Sequence, residues 1–206
     1  MRSIYLIIIS LILTNSVLAD DSFVKLCKSG SLEQISEALK SGASVKDRDN
    51  EGSTPLMYAA AQQTEPKIIE LLIKSGASVN DKNNDGETPL MFAAAQQTEP
   101  KVIELLIKSG ASVNDKNNDG ETPLMYAAEH QTEPKIIELL LKSGASVNDK
   151  RSDGATPLIF AAGNNKNIEV IKLLIKSGAS VKDRNNEGST PLMYAAGFNK
   201  NIEVIK

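Results

Sequence analysis

The heptapeptide TPLMYAA at residues 54–60 returns as TPLMFAA at 88, TPLMYAA at 122, TPLIFAA at 156 and TPLMYAA at 190, each time 34 residues further on. A fixed period of this length confines the chain to stacked supersecondary units, because one unit exposes an apolar face that only the next can cover. The possible folds are therefore solenoids, and the surfaces available for function are columns of equivalent positions.

A single unit, residues 83–116, reads NNDGETPLMFAAAQQTEPKVIELLIKSGASVNDK. Asp85-Gly86 is a turn signal, since Gly takes positive φ without steric cost. Thr88-Pro89 then supplies an N-cap followed by proline at the first helical position, so a helix is predicted from Pro89. Glu99-Pro100 repeats the start signal. Behind it, Val102, Ile103, Leu105 and Leu106 give an apolar stripe at i, i+3, i+4 spacing, and Ser109-Gly110 closes the second helix with a left-handed C-cap.

The recurring G-x-TPL, AA, LL and GASVN positions resemble the ankyrin repeat over nearly the whole chain beyond its first 19 residues. The resemblance implies an all-α solenoid of stacked helix-turn-helix units with β-turn fingers. Two positions depart from the family pattern. Where a histidine usually follows TPL, this chain has Met57, Met91, Met125, Ile159 and Met193, so the Thr-to-His hydrogen bond is not implied and thioether packing is expected instead. The period of 34 exceeds the usual ankyrin 33 by one residue, and the extra residue is assigned to the turn between the helices.

The first residues, MRSIYLIIISLILTNSVLADD, have a basic start at Arg2, an apolar run from Ile4 to Leu13 and small residues before an acidic pair. They read as a secretory signal cleaved after Ala19, because the run is shorter than the ~20 residues that span a bilayer. Residues 1–19 are thus assigned to the signal and 20–206 to the repeats. Within that domain, 22–49 form a degenerate cap, 50–83, 84–117, 118–151 and 152–185 are full repeats, and 186–206 is cut short. NIEVIK stops at Lys206, aligned with Lys172 in the middle of a second helix. The rival reading is accordingly the interaction part of a longer enzyme or host-directed effector; a structural envelope spacer is the third.

Export places the chain in the periplasm or outside a bacterial cell, a source that its Lys, Asn and Ile richness suggests. The single cysteine, Cys27, allows no internal disulfide; it reads as a small buried apolar residue. The formal net charge of -3, with Lys and Glu spread over every unit, speaks against nucleic acid. No phosphate loop, nucleophile elbow or Cys/His cluster is present, so neither an enzyme nor a cofactor is expected. The one histidine, His130, falls at the end of a first helix without an evident partner. Asp81, Asn83, Asp85 and Gly86 open like a calcium loop, but its twelfth position, where a bidentate Glu belongs, is Phe92. No metal site is assigned.

What remains is a binding surface. The finger tips Glu51, Asp85, Asp119, Asp153 and Glu187 form an acidic column, reinforced by Glu87 and Glu121. The units diverge at the ends of the first helices, through Gln96, Glu129, His130, Asn164 and Phe198. The aromatic column Tyr58, Phe92, Tyr126, Phe160 and Tyr194 is read as core, with the tyrosine hydroxyls reaching polar groups at its rim. The chain is therefore expected to be a monomeric, non-enzymatic, exported module. Its finger and concave surface would bind another protein that presents Lys or Arg, with no membrane contact beyond the signal.

Overall fold

The computed structural model describes residues 20–96, 99–130 and 133–199; the expected signal, the NIEVIK end and the middle of two inter-helix turns lie outside them. The described residues form helices α1 (Asp20–Ser29), α2 (Leu32–Lys40), α3 (Pro55–Gln62), α4 (Pro66–Lys74), α5 (Pro89–Gln96) and α6 (Pro100–Lys108). They continue through α7 (Pro123–His130), α8 (Pro134–Lys142), α9 (Pro157–Asn164), α10 (Ile168–Lys176) and α11 (Pro191–Phe198). No strand occurs among them.

Each unit is bounded by local chemistry. Thr156 and Thr190 take the extended N-cap conformation and accept from the amides of Ile159 and Met193, with proline at the start of the helix behind them. Such a cap satisfies one of the four amide groups that open a helix. The methionine that stands in for histidine shares this work. Met57 Sδ accepts from the Thr54 amide at 3.3 Å and Met91 Sδ from the Thr88 amide at 3.4 Å, besides being buried. Packing was the expected role; sulfur as a weak acceptor adds a polar one. At the far end of the second helix, Gly110 N donates to Ile107 O and Ala111 N to Leu106 O, both at 3.0 Å, with Gly110 at φ 94°. That is a Schellman closure, and it buries Ala111.

The first helices α1, α3, α5, α7, α9 and α11 pack in succession on one side, and α2, α4, α6, α8 and α10 on the other. Leu56, Leu90 and Leu124 from the first helices, with Ile69, Ile103 and Ile137 from the second, are fully buried between them. In α6, Val102, Ile103 and Leu106 are buried while Leu105 packs only partly. In α11, Leu192 and Met193 are 58% and 55% exposed although their counterparts are buried, because no described unit covers that face.

Three columns of hydrogen bonds tie unit to unit. At the fingers, Asn84, Asn118 and Ser152 amides donate to the carbonyls of Glu51, Asp85 and Asp119 at 2.9 Å, and Asn186 to Asp153 at 2.7 Å. At the opposite loops, Asn80 Nδ2 donates to Gly110 O at 2.9 Å while its Oδ1 accepts from Ser112 N at 3.0 Å. Asn114 and Asn148 repeat this pair of bonds on Gly144 and Ser146, and on Gly178 and Ser180. Between the helices, Gln63 donates to the carbonyls of Cys27 and Gly30, Asn165 to Ala128, and Asn199 to Ala162. A side-chain amide offers a donor and an acceptor in one plane, which suits it to extend backbone pairing across a unit boundary. Cys27 is buried beneath this column, and burial pushes its thiol up to about 12, which leaves it protonated and unreactive.

Candidate functional site

Each finger is a tight turn organised from its base. Asn83 Oδ1 accepts from the amides of Asp85 and Glu87, while Asn83 N donates to Glu87 O and Gly86 N to Asn83 O. Gly86 has φ 78°, and a Cβ there would meet Asn118 Oδ1 at 2.6 Å, so both the turn and the approach of the next finger require glycine. Asn117, Asn185 and Asp49 play the same double-acceptor part in their own fingers. Because the base residue satisfies the tip amides, the tip carboxylate is left over.

The expected acidic column therefore divides into two sets. Glu51, Asp85 and Asp119 are exposed, and among the described residues their carboxylates make no hydrogen bond or ion pair. Glu87 and Glu121 instead turn toward the helices and are half-buried. Glu87 accepts from Asn83 Nδ2 at 2.8 Å and from the Tyr126 hydroxyl at 2.6 Å. Glu121 accepts from Asn117 Nδ2 and from Arg151 Nη1, both at 3.0 Å. Burial, then the Glu87 acceptor, raises the Tyr126 pKa, and burial with Asp49 pushes Tyr58 up to about 12.

The column is also interrupted at Asp153, contrary to the sequence reading. Arg151 stands where the other bases have Asn or Asp and cannot accept a hydrogen bond. Asp153 takes over that task, accepting from the Ala155 amide at 2.9 Å and from Arg151 Nε at 3.0 Å and Nη2. Arg151 beside it holds the Asp153 carboxyl below the usual range. The guanidinium lies 4.8 Å from the centroid of the Phe160 ring.

The aromatic column joins the core less deeply than its spacing predicts: Phe160 lies within it, and Tyr126 and Tyr194 pack against it. Phe160 alone is buried, at 8% exposed, while Tyr58, Phe92, Tyr126 and Tyr194 are half-buried. Hydroxyls tethered to Asp49, Glu87 and Asn185 hold the tyrosines at the edge of the finger face. Tyr58 and Phe92 meet edge-on at 6.0 Å.

At the helix ends, Gln62 donates to Gln96 at 3.4 Å and Asn164 to Glu129 at 3.0 Å. His130 is exposed with its Nε2 3.7 Å from Glu129, and Phe198 is exposed beside Tyr194. Gln62, Gln96, His130, Asn164 and Phe198 thus take equivalent positions at the ends of successive first helices, with Glu129 one residue before His130. The residues of the calcium-like stretch diverge: Asp81 pairs with Arg48 at 3.2 Å, and Asn83 is occupied by its own finger. Among the described residues no group of three His, Cys, Asp or Glu side chains is placed to hold a metal, and no helix is long and apolar enough to cross a membrane.

A family model described as ankyrin repeats matches in 3 copies, over residues 13–83, 60–151 and 133–206. The chain belongs to the ankyrin repeat family. No curated protein matches it. Ankyrin repeats generally mediate protein–protein interaction and are typically non-enzymatic, and the fold seen here, with helix pairs stacked behind a row of fingers, is theirs. In this ankyrin repeat chain the sequence reading missed the roles of Asn83, Asn117 and Arg151. Only the exchange of Asn for Arg at 151 could have signalled one of them.

Proposed function

We propose that this chain is an exported protein-binding module, acting in a bacterial envelope or beyond it, whose finger face takes a partner with a basic surface. One observation carries the proposal: Glu51, Asp85 and Asp119 present unpaired carboxylates on three successive fingers whose backbones are hydrogen-bonded to one another. A row of like charges held on a rigid frame costs little ordering on binding and attracts a complementary surface over about 10 Å at 0.1 M salt. Gln96, Glu129, His130, Asn164 and Phe198 lie at the ends of successive first helices. There the chemistry changes from unit to unit and can set specificity. Export itself rests on the first 19 residues.

Capture tests the reading. The chain immobilised in its source lysate should retain a basic partner at low salt and release it as salt rises, and mass spectrometry should find the mature N-terminus at Asp20. A partner retained equally at all salt concentrations would count against the acidic face, and a retained Ile4 to Leu13 would count against cleavage.

A further inference from the structure

Arg151 shows what the finger face is built to hold. Its guanidinium sits against the Phe160 ring, and its nitrogens reach Glu121 on the preceding finger and Asp153 on its own tip. An acid on either side and an aromatic face behind is a complete setting for a planar cation.

One period back the equivalent positions again carry two acids and an aromatic residue, without the cation, and the Tyr126 hydroxyl takes the Glu87 oxygen that corresponds to the one Arg151 takes on Glu121. Glu87, Asp119 and Tyr126 stand 34 positions before Glu121, Asp153 and Phe160, and the position of Arg151 is held by Asn117. Asn117 is too short to bridge the acids: it donates to Glu121 and to the Tyr126 hydroxyl and serves its own finger amides. Asp119 is left exposed and unbonded among the described residues, and Tyr126 stays half-buried where Phe160 is covered. Glu87 accepts two hydrogen bonds, and a carboxylate has about four acceptor positions. The other fingers lack the full set, since Ser53 stands in the Glu87 position for Phe92 and Ala155 for Tyr194.

We infer that Glu87, Asp119 and Tyr126 form a receptor for an arginine side chain of the partner, seated as Arg151 is seated in the next unit. The inference rests on the finger face being the partner surface and names the chemistry that it selects. Arginine fits better than lysine because its planar fork can reach two acids while lying on a ring.

The probe is the peptide acetyl-Gly-Arg-Gly-amide, titrated into the whole protein and followed by NMR at the Tyr126 ring and the Asp119 amide. Saturable shifts centred on these two residues are expected, with none from the citrulline peptide, which keeps the shape and loses the charge. Asn117→Arg fills the receptor from within and should weaken the peptide by roughly tenfold or more. Arg151→Asn opens the second setting and should add a second set of shifts at Asp153 and Phe160. The inference is overturned if shifts spread evenly over Glu51, Asp85 and Asp119, or if Asn117→Arg, with unchanged helix content, leaves binding as it was. Should Asn117→Arg not fold, the Arg151→Asn arm decides alone, and absence of the second set refutes the receptor. No natural partner enters this test, so its failure is distinct from a failure to capture one.

Discussion

Arg151 and Asp153 exchange the roles that Asn117 and Asp119 keep, and the exchange has a measurable acid-side signature. The Asp153 carboxyl is held down chiefly by the Arg151 hydrogen bonds and further by the Ala155 amide, against the opposing effect of its burial. Its folded value lies below the unfolded value of about 3.9, so the stabilisation is present above that pH and is lost as pH falls through the folded value. Urea midpoints taken from about pH 5 down to about pH 2 should therefore fall more steeply for the wild type than for Arg151→Asn. Equal slopes would show that the pair contributes nothing to folding. Two neighbouring leucines give a second contrast. Leu106 is fully buried and Leu105 only partly, so Leu106→Ala should cost about 2 to 5 kcal/mol and Leu105→Ala clearly less in the same urea titration. The stripe read from the sequence treated the two alike.

At the level of the helix and the turn, most of the unit was legible, because its signals are local. Proline at a helix start, glycine at positive φ and an apolar stripe each act within four residues, and they place Pro89–Gln96 and Pro100–Lys108. The orientation of the finger acids was not legible. Glu87 turns inward because Tyr126, 39 residues away, donates to it, and nothing in the local spelling DGETPL distinguishes it from Asp85. The partners of the tyrosine hydroxyls were hidden for the same reason, since they lie outside the helix. The loop asparagine was equally hidden. Asn114 spans the boundary to Gly144 and Ser146, while Lys46 in the equivalent place of the cap makes no such bond among the described residues. Asn114→Ala should then lower unfolding free energy by about 1 to 2 kcal/mol, the loss of two modest net hydrogen bonds. Hydrogen exchange should quicken first in α6 and α8 on either side of that boundary. A loss confined to the loop itself would mean that the bonds do not join the units.

Across the whole molecule the consequence is a division of labour. The loop and inter-helix columns hold the stack together, the half-buried Glu87 and Glu121 tie their own fingers to the helices and to the next unit, and the Glu51, Asp85 and Asp119 tips carry charge that no internal group consumes. Units that contact only their neighbours behave as a one-dimensional array, and because the carboxylates of Glu51, Asp85 and Asp119 make no bond among the described residues, neutralising them should leave folding nearly untouched. Rim charges act mainly on association rate, which separates the two acid sets. The decisive measurement is the association rate of a captured partner with three proteins at low and high salt: wild type, Glu51→Gln/Asp85→Asn/Asp119→Asn, and Glu87→Gln/Glu121→Gln. The account predicts that the triple change slows association and flattens its salt dependence at unchanged thermal stability. The double change should lower stability through the Tyr126 and Arg151 contacts. A triple variant that associates at the wild-type rate, with the same response to salt, would contradict it.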